Sequence, residues 1–193
     1  GHCVSLSRRT HELSSLIHAG TWHKTADRSY EIRNKTIGIV GYGHIGQQVG
    51  LLAEACGMNV VFYDVIKKLP LGRAKFVTFE ELLATSDFVS LHVPGGFETE
   101  NMISQKQLSQ MKAGSYLINL SRGKVVDLDA LRTSLDSGHI AGAGIDVFPV
   151  EPAGNGAYEC PLTNCPTAIL TPHIGGSTAE AQCNIGKEVA YAL

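Results

Sequence analysis

The glycine pattern Gly41-Tyr42-Gly43-His44-Ile45-Gly46 constrains the fold more than any other feature of the sequence. It follows an apolar, β-branched run at 36–40 and opens a segment with helical periodicity at 45–56. Glycines at these spacings, between a strand and a helix, permit a tight turn, an open loop and close packing of the helix on the strand. The pattern therefore predicts a strand–loop–helix unit of an α/β protein.

Short apolar runs alternate with helical segments along the rest of the chain. Strands are predicted at 36–40, 60–63, 88–93, 116–120, 141–147 and 168–170. Helices are predicted at 1–19, 45–56, 79–85, 104–112, 127–137 and 178–193, and a long loop at 149–166. Because the strands are apolar throughout, they indicate a sheet covered by helices on both faces. The predicted fold is α/β, with a doubly wound parallel sheet of the Rossmann type.

Three segments are expected along the chain. Residues 1–30 are interpreted as a connecting helix and the start of the domain, and 31–180 as a dinucleotide-binding domain. Residues 181–193 are interpreted as the start of a helix that returns to another domain. Both ends of the sequence fall within helical patterns, so a fragment of a longer protein is expected.

Composition and charge argue against several classes of function. The formal net charge is −2 and there is no basic block, so neither nucleic acid nor a membrane is expected as a partner. The five cysteines form no C-x-x-C pair, which argues against a disulfide framework and suits a reducing compartment such as the cytoplasm. No metal site is predicted, although zinc binding by Cys160, Cys165 and a nearby histidine remains an open alternative.

The glycine loop and Asp64 together predict a site for NAD. Gly43 lets the backbone approach a pyrophosphate, and the start of the following helix attracts the phosphates. Asp64 ends the next strand, where a carboxylate can accept the ribose hydroxyls and repel the 2′-phosphate of NADP. Lys67 and Lys68 follow Asp64 closely in the sequence, so NADP remains an open alternative as the cofactor. A glycine turn with a surface aspartate that binds nothing is the alternative.

The same loop adds further cofactor candidates. We include Gly41, Gly43, His44, Ile45 and Gly46 as one binding unit. For His44, a surface position without a ligand is the open alternative, because a lone histidine usually needs a partner to matter.

Three further motifs follow predicted strands. They are Leu120-Ser121-Arg122-Gly123-Lys124-Val125-Val126-Asp127, Gly144-Ile145-Asp146-Val147-Phe148-Pro149-Val150-Glu151-Pro152 and Thr171-Pro172-His173-Ile174-Gly175-Gly176-Ser177-Thr178. With the glycine loop, in this order, they resemble the D-2-hydroxyacid dehydrogenase family from about residue 20 to the end of the chain.

The resemblance implies a catalytic set of Arg122, Glu151 and His173. A histidine can take the hydroxyl proton of a hydroxy acid near neutral pH, and a glutamate can orient the ring. The planar fork of an arginine can hold the substrate carboxylate. Taken singly, each residue also has a simpler interpretation: a surface ion-pair arginine, a loop acid before proline and a loop histidine.

The resemblance also implies a wider set of cofactor contacts. These are His92, Val93, Pro94, Ser121, Asp146, Gly175 and Gly176. A packing role for His92 remains equally open, and Gln182 matches a position that can reach the substrate. The sequence departs from the family at Gly95-Gly96-Phe97, where a turn with fewer glycines and a proline is usual. The family's substrate domain is expected to be largely missing.

The resemblance is strongest to family members that oxidise D-3-phosphoglycerate at its CH–OH group with NAD, on the segments at 41–46, 68–72 and 175–182. Other substrates of the same family, such as glyoxylate, hydroxypyruvate or D-lactate, remain open. An NADH-sensing corepressor-like binding module is the alternative from a different class. The family also implies a homodimer or a larger homo-oligomer.

Overall fold

The computed structural model describes residues 1–192, and in this range seven parallel strands form one sheet. The strands are β1 (Thr36–Val40), β2 (Asn59–Tyr63), β3 (Lys75–Phe76), β4 (Phe88–Leu91), β5 (Ser115–Asn119), β6 (Ile140–Ile145) and β7 (Ala168–Leu170). Their order across the sheet is β3-β2-β1-β4-β5-β6-β7, and every neighbouring pair is parallel. The predicted doubly wound parallel sheet is confirmed.

Helices connect the strands and close both faces of the sheet. They are α1 (His2–Ser7), α2 (Thr10–His18), α3 (His44–Ala55), α4 (Phe79–Thr85), α5 (Gln105–Gln110), α6 (Leu128–Asp136) and α7 (Ala179–Ala192). Short 3₁₀ turns span Phe97–Thr99 and Gly123–Val125. The predicted end of the last helix, Leu193, lies outside the described residues.

The prediction of one helix over 1–19 was wrong. The segment forms α1 and α2, which are separated at Arg8 and Arg9, and Arg9 has a left-handed backbone with φ +51°. The Arg9 guanidinium donates to Glu12 at 2.7 Å and to the carbonyl oxygen of Asp27 at 3.0 Å. Because no glycine or proline marks this position, contacts distant in sequence decide the break.

Strand β3 was missed by the sequence analysis. It has two residues, both exposed, and it pairs only with β2 at the edge of the sheet. So short an element carries too few apolar positions to produce a recognisable strand pattern.

The two sides of the sheet carry separate apolar cores. Val40 and Leu91 belong to the core that includes α6, whereas Ile39 and Phe62 belong to the other core. Leu6 of α1 is buried in this second core. Side chains alternate between the faces of a strand, so each central strand contributes to both cores.

The strand order places a topological switch between β1 and β4. From β1 the chain runs outward through β2 and β3, and then it returns to place β4 on the other side of β1. In open α/β sheets the carboxyl ends of the strands at such a switch form a ligand crevice. None of the helices within residues 1–192 combines the length and hydropathy needed to cross a bilayer.

Candidate cofactor and active site

The glycine loop lies at the switch between β1 and β4. Gly41 has φ +91°, and a Cβ there would come within 2.5 Å of the His92 carbonyl oxygen. A Cβ on Gly46 would overlap the carbonyl oxygen of Gly41. Both positions therefore need glycine for conformation or close packing.

Gly43, by contrast, faces open space. No described atom lies within 4 Å of the position that its Cβ would take, so a phosphate can approach the backbone there. Gly43 is also the N-cap of α3, and no described side chain caps this helix start. His44 and Ile45 are exposed in the first turn of α3. Free N–H groups and the positive end of the helix dipole make this loop fit a dinucleotide pyrophosphate.

Asp64 directly follows β2 and is attached to the glycine loop. Its Oδ2 accepts a hydrogen bond from Tyr42 N at 2.8 Å, and its Oδ1 accepts one from Ile66 N at 3.0 Å. Each carboxylate oxygen has two acceptor sites, so both oxygens can also accept from ribose hydroxyls.

His92 closes the other side of the glycine loop. The backbone N–H of His92 donates to the Val40 carbonyl oxygen at 2.7 Å, and the ring Nε2 lies 2.9 Å from Ser90 Oγ. Burial lowers the pKa of His92 to about 4, so the ring is neutral at physiological pH. The half-buried Val93 and the exposed Pro94 continue the chain past the loop.

The turn after β5 is held by Asn119, a buried residue that the sequence analysis did not single out. Asn119 Oδ1 accepts from Ser121 N at 3.1 Å and from Ser121 Oγ at 2.9 Å. Its Nδ2 donates to the Arg122 carbonyl oxygen at 3.0 Å. An asparagine that bridges backbone groups in this way fixes a turn, so it sets where Arg122 leaves the sheet.

Glu151 and His173 form a hydrogen-bonded pair, although 22 residues separate them. His173 Nδ1 lies 2.7 Å from Glu151 Oε2, and Glu151 Oε1 accepts from Phe148 N at 2.9 Å. An ionised carboxylate can only accept, so Nδ1 carries the proton and Nε2 of the neutral ring is a base. His173 has φ +53°, an uncommon backbone conformation that often occurs at functional sites.

The pairing gives an expected pH dependence. The hydrogen bond from His173 holds the pKa of Glu151 below its ordinary value of 4.5, with a further contribution from Phe148 N–H, while burial opposes the shift. A lowered folded-state pKa means that the interaction stabilises the fold above 4.5 and is lost as pH falls through the lowered value. Replacing His173 with alanine should therefore raise the Glu151 pKa.

Carbon-13 NMR titration of the Glu151 side-chain carboxyl in both proteins measures this shift. His18→Ala is the matched control, because His18 is exposed on α2 and should leave the Glu151 titration unchanged. The same Glu151 pKa in the His173→Ala protein would contradict the pairing.

Asp146 organises the loop that carries His173. It is only 2% exposed. Its Oδ1 accepts from Thr171 Oγ1 at 2.6 Å and from Ile174 N at 2.9 Å, and its Oδ2 accepts from Gly175 N at 2.9 Å. In this structure Asp146 thus holds the loop through Gly175, while Gly176 is exposed beside it.

One open cavity of about 590 Å³ brings Arg122, Glu151 and His173 together. These residues follow β5, β6 and β7, which are neighbours in the sheet, so their loops meet at one edge. Arg122 is exposed and donates from one guanidinium nitrogen to the Ser121 carbonyl oxygen at 2.7 Å. The cavity therefore offers a permanently charged guanidinium and a histidine base to one small ligand.

The unusual segment Gly95-Gly96-Phe97 lines the same cavity. A Cβ on Gly95 would lie 3.1 Å from Arg122 Cγ, so the absent side chain leaves room for the arginine stem. Phe97 is 91% exposed at the cavity rim. Gln182 is exposed on α7.

A family model described as D-isomer specific 2-hydroxyacid dehydrogenase, NAD binding domain, matches residues 1–175. The chain belongs to this family. The resemblance inferred from the sequence motifs is confirmed, and NAD is the cofactor of this domain.

Relatives of known name agree with the family assignment. The chain is 54% identical to the putative D-3-phosphoglycerate dehydrogenase of Schizosaccharomyces pombe, with 100% of the chain and 44% of the relative aligned. It is also 54% identical to the D-3-phosphoglycerate dehydrogenase of Escherichia coli K12, with 100% of the chain and 48% of the relative aligned. The chain thus spans somewhat less than half the length of these relatives.

Solved structures of dehydrogenases share the fold. A D-lactate dehydrogenase from Aquifex aeolicus, complexed with NAD and lactic acid, superposes with a TM-score of 0.87 at 32% identity. The match covers 98% of this chain and 62% of that one. An NAD-dependent formate dehydrogenase from Staphylococcus aureus, in complex with NAD, gives a TM-score of 0.89 at 35% identity, over 97% of this chain and 56% of that one.

The alternative of a zinc site at Cys160 and Cys165 requires a cluster of at least three ligands. Within residues 1–192, no three His, Cys, Asp or Glu side chains are arranged to hold a metal ion. Cys165 is buried and Cys160 is partly buried next to Thr163.

Proposed function

We propose that this chain is the NAD-binding and catalytic half of a D-2-hydroxyacid dehydrogenase. The observation that carries the proposal is the pairing of Glu151 with His173, on a cavity shared with Arg122, at the same sheet edge as the glycine loop. A bare glycine loop is compatible with many activities, but an oriented base beside a carboxylate-binding arginine suits oxidation of a hydroxy acid.

Each catalytic residue has one role in the proposal. His173 Nε2 takes the proton from the substrate hydroxyl, and Glu151 stabilises the imidazolium that results. Arg122 holds the substrate carboxylate through its planar fork. NAD, when bound, supplies the acceptor for the hydride that leaves the substrate carbon.

We assign the cofactor to the loops along the carboxyl edge of the sheet. Gly43 and the start of α3 contact the pyrophosphate, and Asp64 accepts the ribose hydroxyls. The remaining assigned contacts are Gly41, His44, Ile45, Gly46, His92, Val93, Pro94, Ser121, Asp146, Gly175 and Gly176. For Asp146, the internal hydrogen bonds support a role through the loop that it holds.

We assign D-3-phosphoglycerate as the substrate, oxidised to 3-phosphohydroxypyruvate in serine biosynthesis. The support is the name of the relatives at 54% identity. A homodimer and a cytoplasmic location complete the proposal, supported by the family resemblance and by the five free cysteines. Initial rates of the intact enzyme on 3-phosphohydroxypyruvate and, for comparison, on pyruvate, glyoxylate and hydroxypyruvate test the substrate, with all four acids measured as reductions by NADH. A preference for one of the latter acids would overturn it.

The cofactor assignment has a direct test in the chain itself. Calorimetric titration with NADH, and separately with NADPH, should show tighter binding of NADH. Removing a carboxylate that makes charge-assisted hydrogen bonds costs about 1.5–3 kcal/mol, so Asp64→Ala should weaken NADH binding roughly 10–100-fold.

Asp129→Ala is the matched control, because Asp129 is an exposed acid on α6, away from the glycine loop. Equal NADH affinity in the Asp64→Ala and unmutated chains would contradict the assigned role of Asp64. Failure of the unmutated chain to bind NADH would contradict the cofactor site as a whole.

A further inference from the structure

Tyr42 is a buried residue inside an otherwise accessible loop. It occupies the variable second position of the glycine pattern, yet its exposed fraction is 0%. Its ring stacks on Phe62, with a centroid distance of 3.7 Å and an interplanar angle of 15°. Neither proton transfer nor phosphate binding uses this side chain, which belongs to the same apolar core as Ile39 and Phe62.

Three attachments of Tyr42 converge on the place assigned to the ribose. Its backbone N–H donates to Asp64 Oδ2 at 2.8 Å. Its hydroxyl accepts from Leu71 N at 3.3 Å. The ring itself packs on Phe62 of β2, two residues before Asp64. Tyr42 therefore ties the glycine loop both to the end of β2 and to the segment that follows it.

The orientation of the Asp64 carboxylate depends on these attachments. Within residues 1–192, two backbone donors hold it, Tyr42 N and Ile66 N. Ile66 is only two residues from Asp64 in sequence, whereas Tyr42 N reaches Asp64 from the glycine loop, 22 residues away. A shift of the Tyr42 ring would displace Tyr42 N, and the carboxylate would lose one of the two donors that direct it towards a ribose.

We propose that Tyr42 is a positioning residue that sets the preference for NADH over NADPH by holding the Asp64 carboxylate. The ligand feature that it helps to recognise is a free 2′-hydroxyl on the adenosine ribose, as opposed to a 2′-phosphate. A hydroxyl can donate to a fixed carboxylate, whereas a phosphate is repelled by it. The inference rests on the proposed cofactor site and adds a residue to it.

A role in packing alone makes a different prediction. Loss of packing would loosen the whole loop and weaken both dinucleotides by the same factor, because they share the pyrophosphate contacts. Loss of Asp64 positioning weakens NADH more than NADPH, because only NADH gains from the carboxylate. The ratio of the two dissociation constants therefore separates the two roles.

The test compares Tyr42→Leu with Tyr42→Phe by fluorescence titration with NADH and with NADPH. In Tyr42→Leu, the ratio of the NADPH to the NADH dissociation constant should fall at least about fivefold, since one charge-assisted hydrogen bond is misdirected. Tyr42→Phe keeps the ring on Phe62 and should keep the ratio within about twofold. Circular dichroism melts establish that each variant is folded.

If Tyr42→Leu is unfolded, Tyr42→Met replaces it, because a flexible side chain fills the space without a flat stack. The same fall in the ratio is expected. An unchanged ratio in the folded variant, alongside a lowered ratio in Asp64→Ala, would overturn the role of Tyr42 alone. Failure of the unmutated chain to prefer NADH would overturn the cofactor proposal, and the inference with it.

Discussion

Replacing His173 with asparagine is expected to lower kcat on the proposed substrate, D-3-phosphoglycerate, about 10²–10⁴-fold, the usual contribution of a positioned general base. Asparagine removes the base but tolerates the left-handed backbone that His173 adopts at φ +53°. The fall in kcat should therefore result from the missing base, because the loop keeps its conformation. Steady-state kinetics of the intact enzyme that carries this chain measures the effect.

The His173 experiment has two internal checks. The NADH dissociation constant should remain within about twofold of the unmutated value, since His173 is assigned to the substrate and not to the glycine loop. His18→Asn is the matched control, because it makes the same replacement at an exposed histidine on α2. A kcat near that of the unmutated enzyme would refute the assignment of His173 as the base.

Replacing Gly123 with alanine is expected to destabilise the fold by about 3 kcal/mol, at the upper end of the usual cost of overpacking. A Cβ on Gly123 would overlap the backbone carbonyl of Phe148. A backbone group cannot rotate away as a side-chain tip can, so the two loops must separate. Urea unfolding followed by circular dichroism measures the change in the free energy of unfolding.

The separation of these loops should also reduce activity. Gly123 is next to Arg122, and Phe148 N–H donates to Glu151. Separation of the loops therefore displaces the Arg122 guanidinium and the hydrogen-bonded Glu151 together. Gly186→Ala is the matched control, because Gly186 lies in α7 with no described atom within 4 Å of an added Cβ. It should be neutral or stabilising by up to about 1 kcal/mol. Equal stability of the two variants would refute the close approach.

The glycine loop and Asp64 could be predicted from local sequence. The spacing of Gly41, Gly43 and Gly46 follows from a strand, a tight turn and a helix within a few residues, and Asp64 ends the next strand. The catalytic residues are different. Arg122, Glu151 and His173 were assigned through the family resemblance, because nothing local distinguishes a catalytic histidine from an ordinary loop histidine.

Long-range contacts account for what the sequence did not predict. Arg9 breaks the first helix through its contact with Asp27, and β3 exists only because β2 offers it a partner. Asn119, which holds the Arg122 turn, carries no motif that marks it. Tyr42 stands at a position where the glycine pattern accepts any residue.

The sequence by itself determined the alternation of strands and helices, the glycine loop and the family. Only the tertiary structure decided that the loops after β5, β6 and β7 meet, which brings Glu151 Oε2 within 2.7 Å of His173 Nδ1. The physical reason is the separation in sequence between the residues whose contacts decide each feature. Turn conformation and helix starts are fixed by neighbours a few residues apart, whereas the order of strands is fixed by how apolar faces pack across the whole sheet.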